Sequence, residues 1–416
     1  MISIDFIKKD LSKAKDLLQK RNIKVDLEQI LSLDTKRQSL QEKIQLLREE
    51  RNKISKRNTE ETRARGKEIK DELKILEPEF ETIYADLKTL LKQLPNTLHP
   101  KTPIGKSEEE NIVLKEHGQK PAFSFQPLDH TQLGKKLSIL DFEKGAKVAG
   151  SNFYFLKNQG VELEFALMKY ALDTISKEGF DLYQTPDLAK QNILDGLGFN
   201  PRGAETQIYN IENSDLSLIG TAEATLGGYY SGEILNQNLF PLKLGGFSHC
   251  FRTEAGGYGR ESRGLYRVHQ FSKVEMFVYC LPGQSEEMHE YLLSLEEKIY
   301  KELGFPYRVV DICSGDLGAP AYRKYDIEVW MPGLNKWGEV TSASNCTDYQ
   351  SRRLNIKYRR KDGSTDYVHT LNGTAIASSR TLISLLELNQ QEDGTVKIPK
   401  VLQKYTGFSE IKPHGI

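Results

Sequence analysis

From Ile69 the apolar residues of this chain fall at Leu73, Leu76, Phe80, Ile83, Leu87, Leu90 and Leu94, in alternating steps of four and three. That spacing is the a/d seam of a coiled coil: it lays a narrow apolar stripe along one helix, and the stripe is buried only if a second helix covers it. A partner lies upstream in the same chain, where Leu33, Leu40, Leu47 and Ile54 recur every seven residues, with Arg37, Ile44 and Arg51 at the intervening seam positions. Between the two runs, SKRNTEETRARG (residues 55–66) is polar and closes on Gly66. The pattern predicts a long antiparallel helical hairpin over about residues 27–95, with its tip near residues 57–66. Pro78 falls inside the second helix, removes a backbone donor there and is expected to kink it.

Pro95, Pro100, Pro103 and Gly105 then mark a linker, beyond which the texture changes. Helical stretches such as VELEFALMKYALDTISKEGF (residues 161–180) alternate with short strands, which is an α+β pattern. The expected organisation is an N-terminal helical domain over residues 1–103 and a larger α+β domain over 104–416. Neither GxGxxG nor GxxxxGK[ST] occurs, so a bound nucleotide would need another architecture than the two common phosphate loops.

Charge is informative only locally, because Lys+Arg and Asp+Glu both number 58. Between Lys43 and Lys70 there are ten Lys or Arg against five Glu, a cationic surplus on the predicted rod. A solvated coiled-coil surface accounts for that surplus more readily than a nucleic-acid contact does. The opening residues MISIDFIKKDLSKAKDLLQKR contain no apolar signal core, and no long uncharged apolar run occurs elsewhere. A cytoplasmic protein without a membrane partner is therefore expected. Cys250, Cys280, Cys313 and Cys346 are too dispersed for a CxxC zinc pattern or a dense disulfide framework, so buried reduced thiols are expected and zinc is not.

The most concentrated chemistry lies between residues 246 and 280. GFSHCFR and FSKVEMFVYC both alternate, and from Arg252 at the end of the first the chain gathers Arg260, Arg263 and Arg267 among glycines. Two strands joined by a long basic loop are predicted. In the second strand Arg267, His269, Phe271, Lys273 and Glu275 share one face, while Val274, Met276, Val278 and Cys280 share the other. One face is core. The other carries a cation, an aromatic ring and a carboxylate that could clamp a phosphate, stack on a base and receive an ammonium group, although an ordinary solvated sheet face has similar composition.

FRTEAGGYGRESRGLYRVHQFSKVEMF (residues 251–277) resembles motif 2 of class II aminoacyl-tRNA synthetases, in the form found in the seryl-tRNA synthetase family. Three further segments resemble that family in the expected order: TAE at Thr221–Glu223, EVTSASN from Glu339, and LNGTAIASSRTLISLLE from Leu371, which resembles motif 3 with Arg380 as its ending arginine. VELEFALMKYALDTISKEGFDLYQTPDL, with Pro186, occupies the place of motif 1, the dimer-forming helix and strand. The resemblance implies an antiparallel class II sheet flanked by helices, preceded by the coiled-coil arm.

It also implies a two-step reaction: serine and ATP form seryl-adenylate, and the seryl group passes to the 3′ end of tRNA(Ser), with use of the selenocysteine tRNA left open. Arg252, Glu339 and Arg380 are the implied catalytic residues. Serine would be held by Thr221, Glu223, Arg252, Glu275, Asn372 and Thr374. ATP would be held by Arg252, Thr253, Glu254, Val268, Phe271, Glu339, Val340, Thr341, Ser342 and Arg380, with Mg²⁺ on Glu339 and Ser342. Arg252 would draw the α-phosphate and serine carboxylate together, and Phe271 and Arg380 would sandwich adenine. The partners implied are L-serine, ATP, tRNA(Ser) on the arm and on the loop carrying Arg260 and Arg263, and a second copy of the chain.

The sequence departs from the family pattern in places. Thr341 and Ala343 replace a serine and a cysteine of the E-x-S-S-C-S-N segment, and Thr374, Ala375 and Ser379 replace a serine and two glycines of motif 3. Slightly altered local backbone is expected at the last two. Two other readings compete. A ligase loading an amino acid onto a carrier protein would lack the arm and bind zinc; a non-catalytic RNA-binding paralogue would be favoured by loss of Arg252, Glu275, Glu339 or Arg380, all of which are present.

Overall fold

A computed structural model describes residues 2–56, 59–199, 207–254 and 264–413, so the expected tip residues 57–58 and the loop arginines Arg260 and Arg263 lie outside the described residues. The chain divides into two compact units, residues 1–97 and 98–416. The proline-rich stretch from Leu98 goes with the second unit because its backbone is paired there. His99 N donates to Tyr322 O (3.0 Å), Ser314 N to Pro103 O (2.8 Å) and Gly315 N to Gly105 O (2.9 Å).

In the first unit, helix α1 (Leu27–Ile54) is capped by the Asp26 carboxylate and helix α2 (Glu60–Lys92) by Thr59. Ile44, Leu47, Ile69 and Leu73 form the buried seam, with Ile54, Leu76 and Phe80 packed against it. Ion pairs Arg48–Glu77 (2.7 Å) and Glu50–Arg65 (2.8 Å) cross from one helix to the other in the reversed order that antiparallel packing demands. Arg37, at a seam position, is explained by Asp34: that carboxylate is 1% exposed and is bonded by both Lys8 (2.6 Å) and Arg37 (2.8 Å). Gly66 does not close the tip as expected, but lies inside α2. The local reason is a reciprocal cap, in which Thr59 Oγ1 accepts from Thr62 N (3.2 Å) and Thr62 Oγ1 from Thr59 N (3.0 Å). A Cβ on Gly66 would meet Ile54 at 3.8 Å, so the residue faces the companion helix. Helix α2 continues through Pro78, which is exposed.

The second unit is built on one eight-stranded sheet. Its elements, in chain order, are β1 (Ile112–His117), α3 (His130–Lys136), α4 (Gln159–Lys177), β2 (Asp181–Gln184), β3 (Leu242–Phe251), β4 (Gln270–Cys280), α5 (Ser285–Glu302), β5 (Tyr307–Asp311), β6 (Arg323–Met331), β7 (Lys336–Thr347), β8 (His369–Ala377) and α6 (Ser378–Leu388). The strand order is β1-β5-β6-β7-β8-β4-β3-β2, antiparallel throughout except for the β2–β3 pair at one edge. Helices α4, α5 and α6 bury one face of the sheet in the main core, which takes Val274, Met276 and Val278 of β4. The other face is also covered: Phe277 and Tyr279 enter a second cluster with Leu194, Leu197 and Leu226. Further along that same face Lys273 is 5% exposed and Glu275 1%, which excludes a solvated sheet face. All four cysteines are buried, and none of them forms a disulfide.

Candidate active site

The motif-like segments, far apart in sequence, meet over the middle of the sheet because antiparallel pairing brings them into register. Glu275 on β4 stands opposite Thr374 on β8, and Ser344 on β7 opposite Asn372. Arg252 follows β3 directly, and Arg380 sits in the first turn of α6, where β8 ends. The result is a polar cavity of about 160 Å³.

One end of the cavity is a small hydrogen-bonding floor. Lys273 Nζ lies 2.5 Å from Glu275 Oε2, to which Thr374 Oγ1 also donates (3.3 Å). Beside them Gln350 Nε2 donates to Glu223 Oε1 (2.8 Å), and Thr221 Oγ1 accepts from the Glu223 amide (3.1 Å). Burial, reinforced by the nearby Glu275 charge, pushes the Glu223 carboxyl up to about 7. Asn372 lines the same end, with its amide group 3.8 Å from Cys346 Sγ. Thr374 is aimed into the cavity by a bulge: the β8 register slips between Thr374 and Ile376, and the freed Thr374 carbonyl accepts from the Thr341 hydroxyl.

The other end is cationic and aromatic. Arg252 Nε donates to Gly220 O (3.3 Å), and its guanidinium lies 5.3 Å from the centre of the Phe271 ring. The Arg252 backbone is braced on both sides: its amide donates to His269 O (3.0 Å) and its carbonyl accepts from His269 Nδ1 (2.9 Å). Arg380 Nη1 donates to the Glu339 carbonyl (2.9 Å) and to its Oε2 (3.1 Å), while Nε donates to Tyr266 O (3.3 Å). Burial works against ionisation of Glu339, but Lys324 and Arg380 outweigh it and hold the carboxyl far below the ordinary range. Glu254 adopts a left-handed backbone with φ +49°, a conformation that costs a non-glycine residue energy and is often met at functional sites.

Of the residues expected from sequence, Thr221, Glu223, Arg252, Glu254, Val268, Phe271, Glu275, Glu339, Val340, Thr341, Ser342, Asn372, Thr374 and Arg380 all line this one cavity. Thr253 does not; its amide turns away to donate to Gln207 O (3.1 Å). Among the described residues no group of three or more His, Cys, Asp or Glu side chains is arranged to hold a metal ion.

Comparison with known proteins agrees along the whole chain. Residues 1–98 match the seryl-tRNA synthetase N-terminal domain, and residues 207–389 the tRNA synthetase class II core domain of the G, H, P, S and T group. The serine–tRNA ligase of Dictyoglomus turgidum is 55% identical across 99% of this chain and 100% of its own; that of Treponema denticola is 49% identical over the same shares. The chain belongs to the seryl-tRNA synthetase family. Among solved structures, the seryl-tRNA synthetase of Pyrococcus horikoshii complexed with ATP is similar with a TM-score of 0.89 at 41% identity, covering 100% of both chains. The cytoplasmic serine–tRNA ligase of Naegleria fowleri in complex with AMP gives 0.85 at 30% identity, covering 100% of this chain and 99% of that one.

Against the pattern of the seryl-tRNA synthetase family, the departures are structurally mild. Ala375 and Ser379 stand where the pattern has glycine, yet neither takes a positive φ, so no left-handed backbone is lost and no strain results. Thr341 uses its hydroxyl to secure the bulge that presents Thr374. Five further residues line the cavity without having been given a site role from sequence: Phe199, Tyr266, Lys273, Ala377 and Ser379. Lys273 had a signal, since its strand parity placed it with Phe271 and Glu275. Tyr266, whose ring lies 4.6 Å from the Arg380 guanidinium, had none.

Proposed function

We propose that this chain activates L-serine with ATP to form seryl-adenylate and transfers the seryl group to the 3′ end of tRNA(Ser), as a class II serine–tRNA ligase. The observation that carries this reading is the division of the cavity into two ends: Glu223, Glu275 and the Thr374 hydroxyl with Lys273 at one, and Arg252, Arg380 and the Phe271 ring with Glu339 at the other. Glu223, Glu275, Thr221 and Thr374 suit the ammonium and hydroxyl of serine, which a site can select by hydrogen bonds far better than by packing, and Asn372 adds a polar contact. Phe271, Val268, Val340 and Thr341 would form the surface for adenine and ribose, and Glu254 would accept from the adenine amino group. Arg252 and Arg380 neutralise phosphate charge, and Arg252 in addition takes the serine carboxylate, so two anions that repel each other are brought into line for attack at the α-phosphate.

The donor set also suits Mg²⁺. Glu339 is ionised and Ser342 lines the same cavity; two oxygen ligands are enough for a cation that draws the rest of its shell from water and phosphates. Bound there, it would neutralise phosphate charge as a Lewis acid.

The cationic surplus between Lys43 and Lys70 supports the helical arm as the contact for the body of the tRNA, with the loop after Glu254 meeting its 3′ end. A homodimer through the α4 and β2 region is supported by Phe165, 66% exposed, and Leu182, 45% exposed on the outermost strand. No helix among the described residues is long and apolar enough to cross a membrane, and the Naegleria fowleri relative is described as cytoplasmic, which is the compartment proposed here. Serine-dependent ATP–pyrophosphate exchange followed by charging of tRNA(Ser) with labelled serine tests the reading: exchange without charging would point to another acceptor, and neither activity in a folded protein would point to a non-catalytic role.

A further inference from the structure

Leu265 and Tyr266 are gripped from two sides. On one, the Leu265 amide donates to His130 Nε2 (3.1 Å); on the other, the Tyr266 carbonyl accepts from Arg380 Nε (3.3 Å). His130, the first residue of α3, is 2% exposed, and Glu387, two turns beyond Arg380 on α6, is fully buried. Glu387 Oε1 accepts from the His130 amide (3.0 Å) and from Nδ1 (2.8 Å), while Oε2 accepts from Gly333 N (2.8 Å) in the turn between β6 and β7. A backbone amide can only donate, so Leu265 fixes the lone pair on Nε2 and the ring proton on Nδ1, pointing at Glu387. The approach is close enough to dictate the neighbouring residue. Gly264 has φ +67°, and a Cβ there would stand 2.1 Å from His130 Nε2.

We propose that His130 is a positioning residue for the nucleotide end of the cavity: by taking the Leu265 amide it holds Tyr266 where its carbonyl and ring seat Arg380. This rests on reading the cavity as an ATP and serine site. His130 does not line the cavity, and no bond of its network reaches Glu223, Glu275 or Thr374. Its loss therefore acts on ATP and not on serine.

The test is serine-dependent ATP–pyrophosphate exchange on the full chain. His130→Leu is expected to raise KM for ATP about tenfold and to leave KM for serine within about twofold, the size of effect one lost buried hydrogen bond produces. His130→Gln, which returns an acceptor to Leu265, is expected to stay within about threefold of the wild type. Gly264→Ala reaches the same point from the other side, because its Cβ displaces the imidazole while every polar group is kept; it decides the matter if the melting curve shows His130→Leu unfolded. An unmoved KM for ATP in these variants, equal rises for both substrates, or a glutamine variant no better than leucine overturns the inference alone. A wild-type chain without serine-dependent exchange overturns the functional reading and this inference with it.

Discussion

Lys273→Met is the substitution whose cost follows most directly from the geometry. Lys273 and Glu275 are 5% and 1% exposed, and their charged atoms are 2.5 Å apart. Removing one partner of a buried ion pair leaves the other desolvated and uncompensated, at a cost of about 3–5 kcal/mol. Two features pull toward the lower end: Thr374 still donates to Glu275, and the pair borders a cavity that admits water. About 3 kcal/mol is expected, which for a unit of this size lowers the melting temperature by about 4–5 °C. The double variant Lys273→Met/Glu275→Gln removes both charges and keeps the volume, so most of that stability returns, giving a coupling of about 2 kcal/mol in the double-mutant cycle. Thermal denaturation without substrates measures all four proteins. Exchange stays lost in the double variant, since the proposed acceptor for the serine ammonium is gone; stability without activity separates the pair's structural part from its substrate part. A coupling below about 0.5 kcal/mol, or a double variant less stable than the single one, would refute the reasoning.

The Glu223 carboxyl titrates near 7 because of its burial and the neighbouring Glu275, and serine's ammonium needs it ionised, so KM for serine should fall about tenfold between pH 6 and pH 8. A Glu223→Gln enzyme that keeps the same slope would assign it to another group. The sign for stability is opposite: a carboxyl raised in the folded state favours folding most at low pH, and that contribution is lost as pH rises through about 7, which denaturant titration of the substrate-free protein can follow. Burial likewise pushes Glu296 well above the usual range, and neither of its oxygens makes a hydrogen bond of normal geometry, so Glu296→Gln should hold stability within about 1 kcal/mol by thermal melting. A much larger loss would reveal a contact that only the acid can make. Arg252→Ala should abolish exchange, whereas deleting residues 35–90 should spare exchange and ruin tRNA charging; equal loss of exchange in both contradicts the division between arm and cavity.

How much of this could be read from the chain alone depended on how local the determining interactions were. The arm was legible because seven-residue spacing translates directly into one apolar stripe, of which Ile44, Leu47, Ile69 and Leu73 form the buried seam. Its tip was misplaced because Gly66 carries a turn propensity that the Thr59–Thr62 cap and packing against Ile54 override. Strand parity on β4 placed Phe271, Lys273 and Glu275 on one face, yet could not tell that this face is enclosed, since the cover comes from Leu194, Leu197 and Leu226 far away in sequence. His130 carried no signal, and Glu387, the last residue of the segment that resembles motif 3, carried none of this pairing. A histidine beside a helix start and a glutamate within an apolar helix become a pair only when the fold brings residues 257 positions apart to 2.8 Å.

The central claim, that one cavity joins a serine-selective end to an ATP-binding end, is tested most directly by ATP–pyrophosphate exchange with serine, threonine and alanine compared side by side. The account predicts robust exchange with serine and a loss of at least about a hundredfold in kcat/KM with alanine, which leaves the buried hydroxyl-reading groups unpaired. Comparable exchange with alanine, or none with serine in a protein that melts cooperatively, would contradict it.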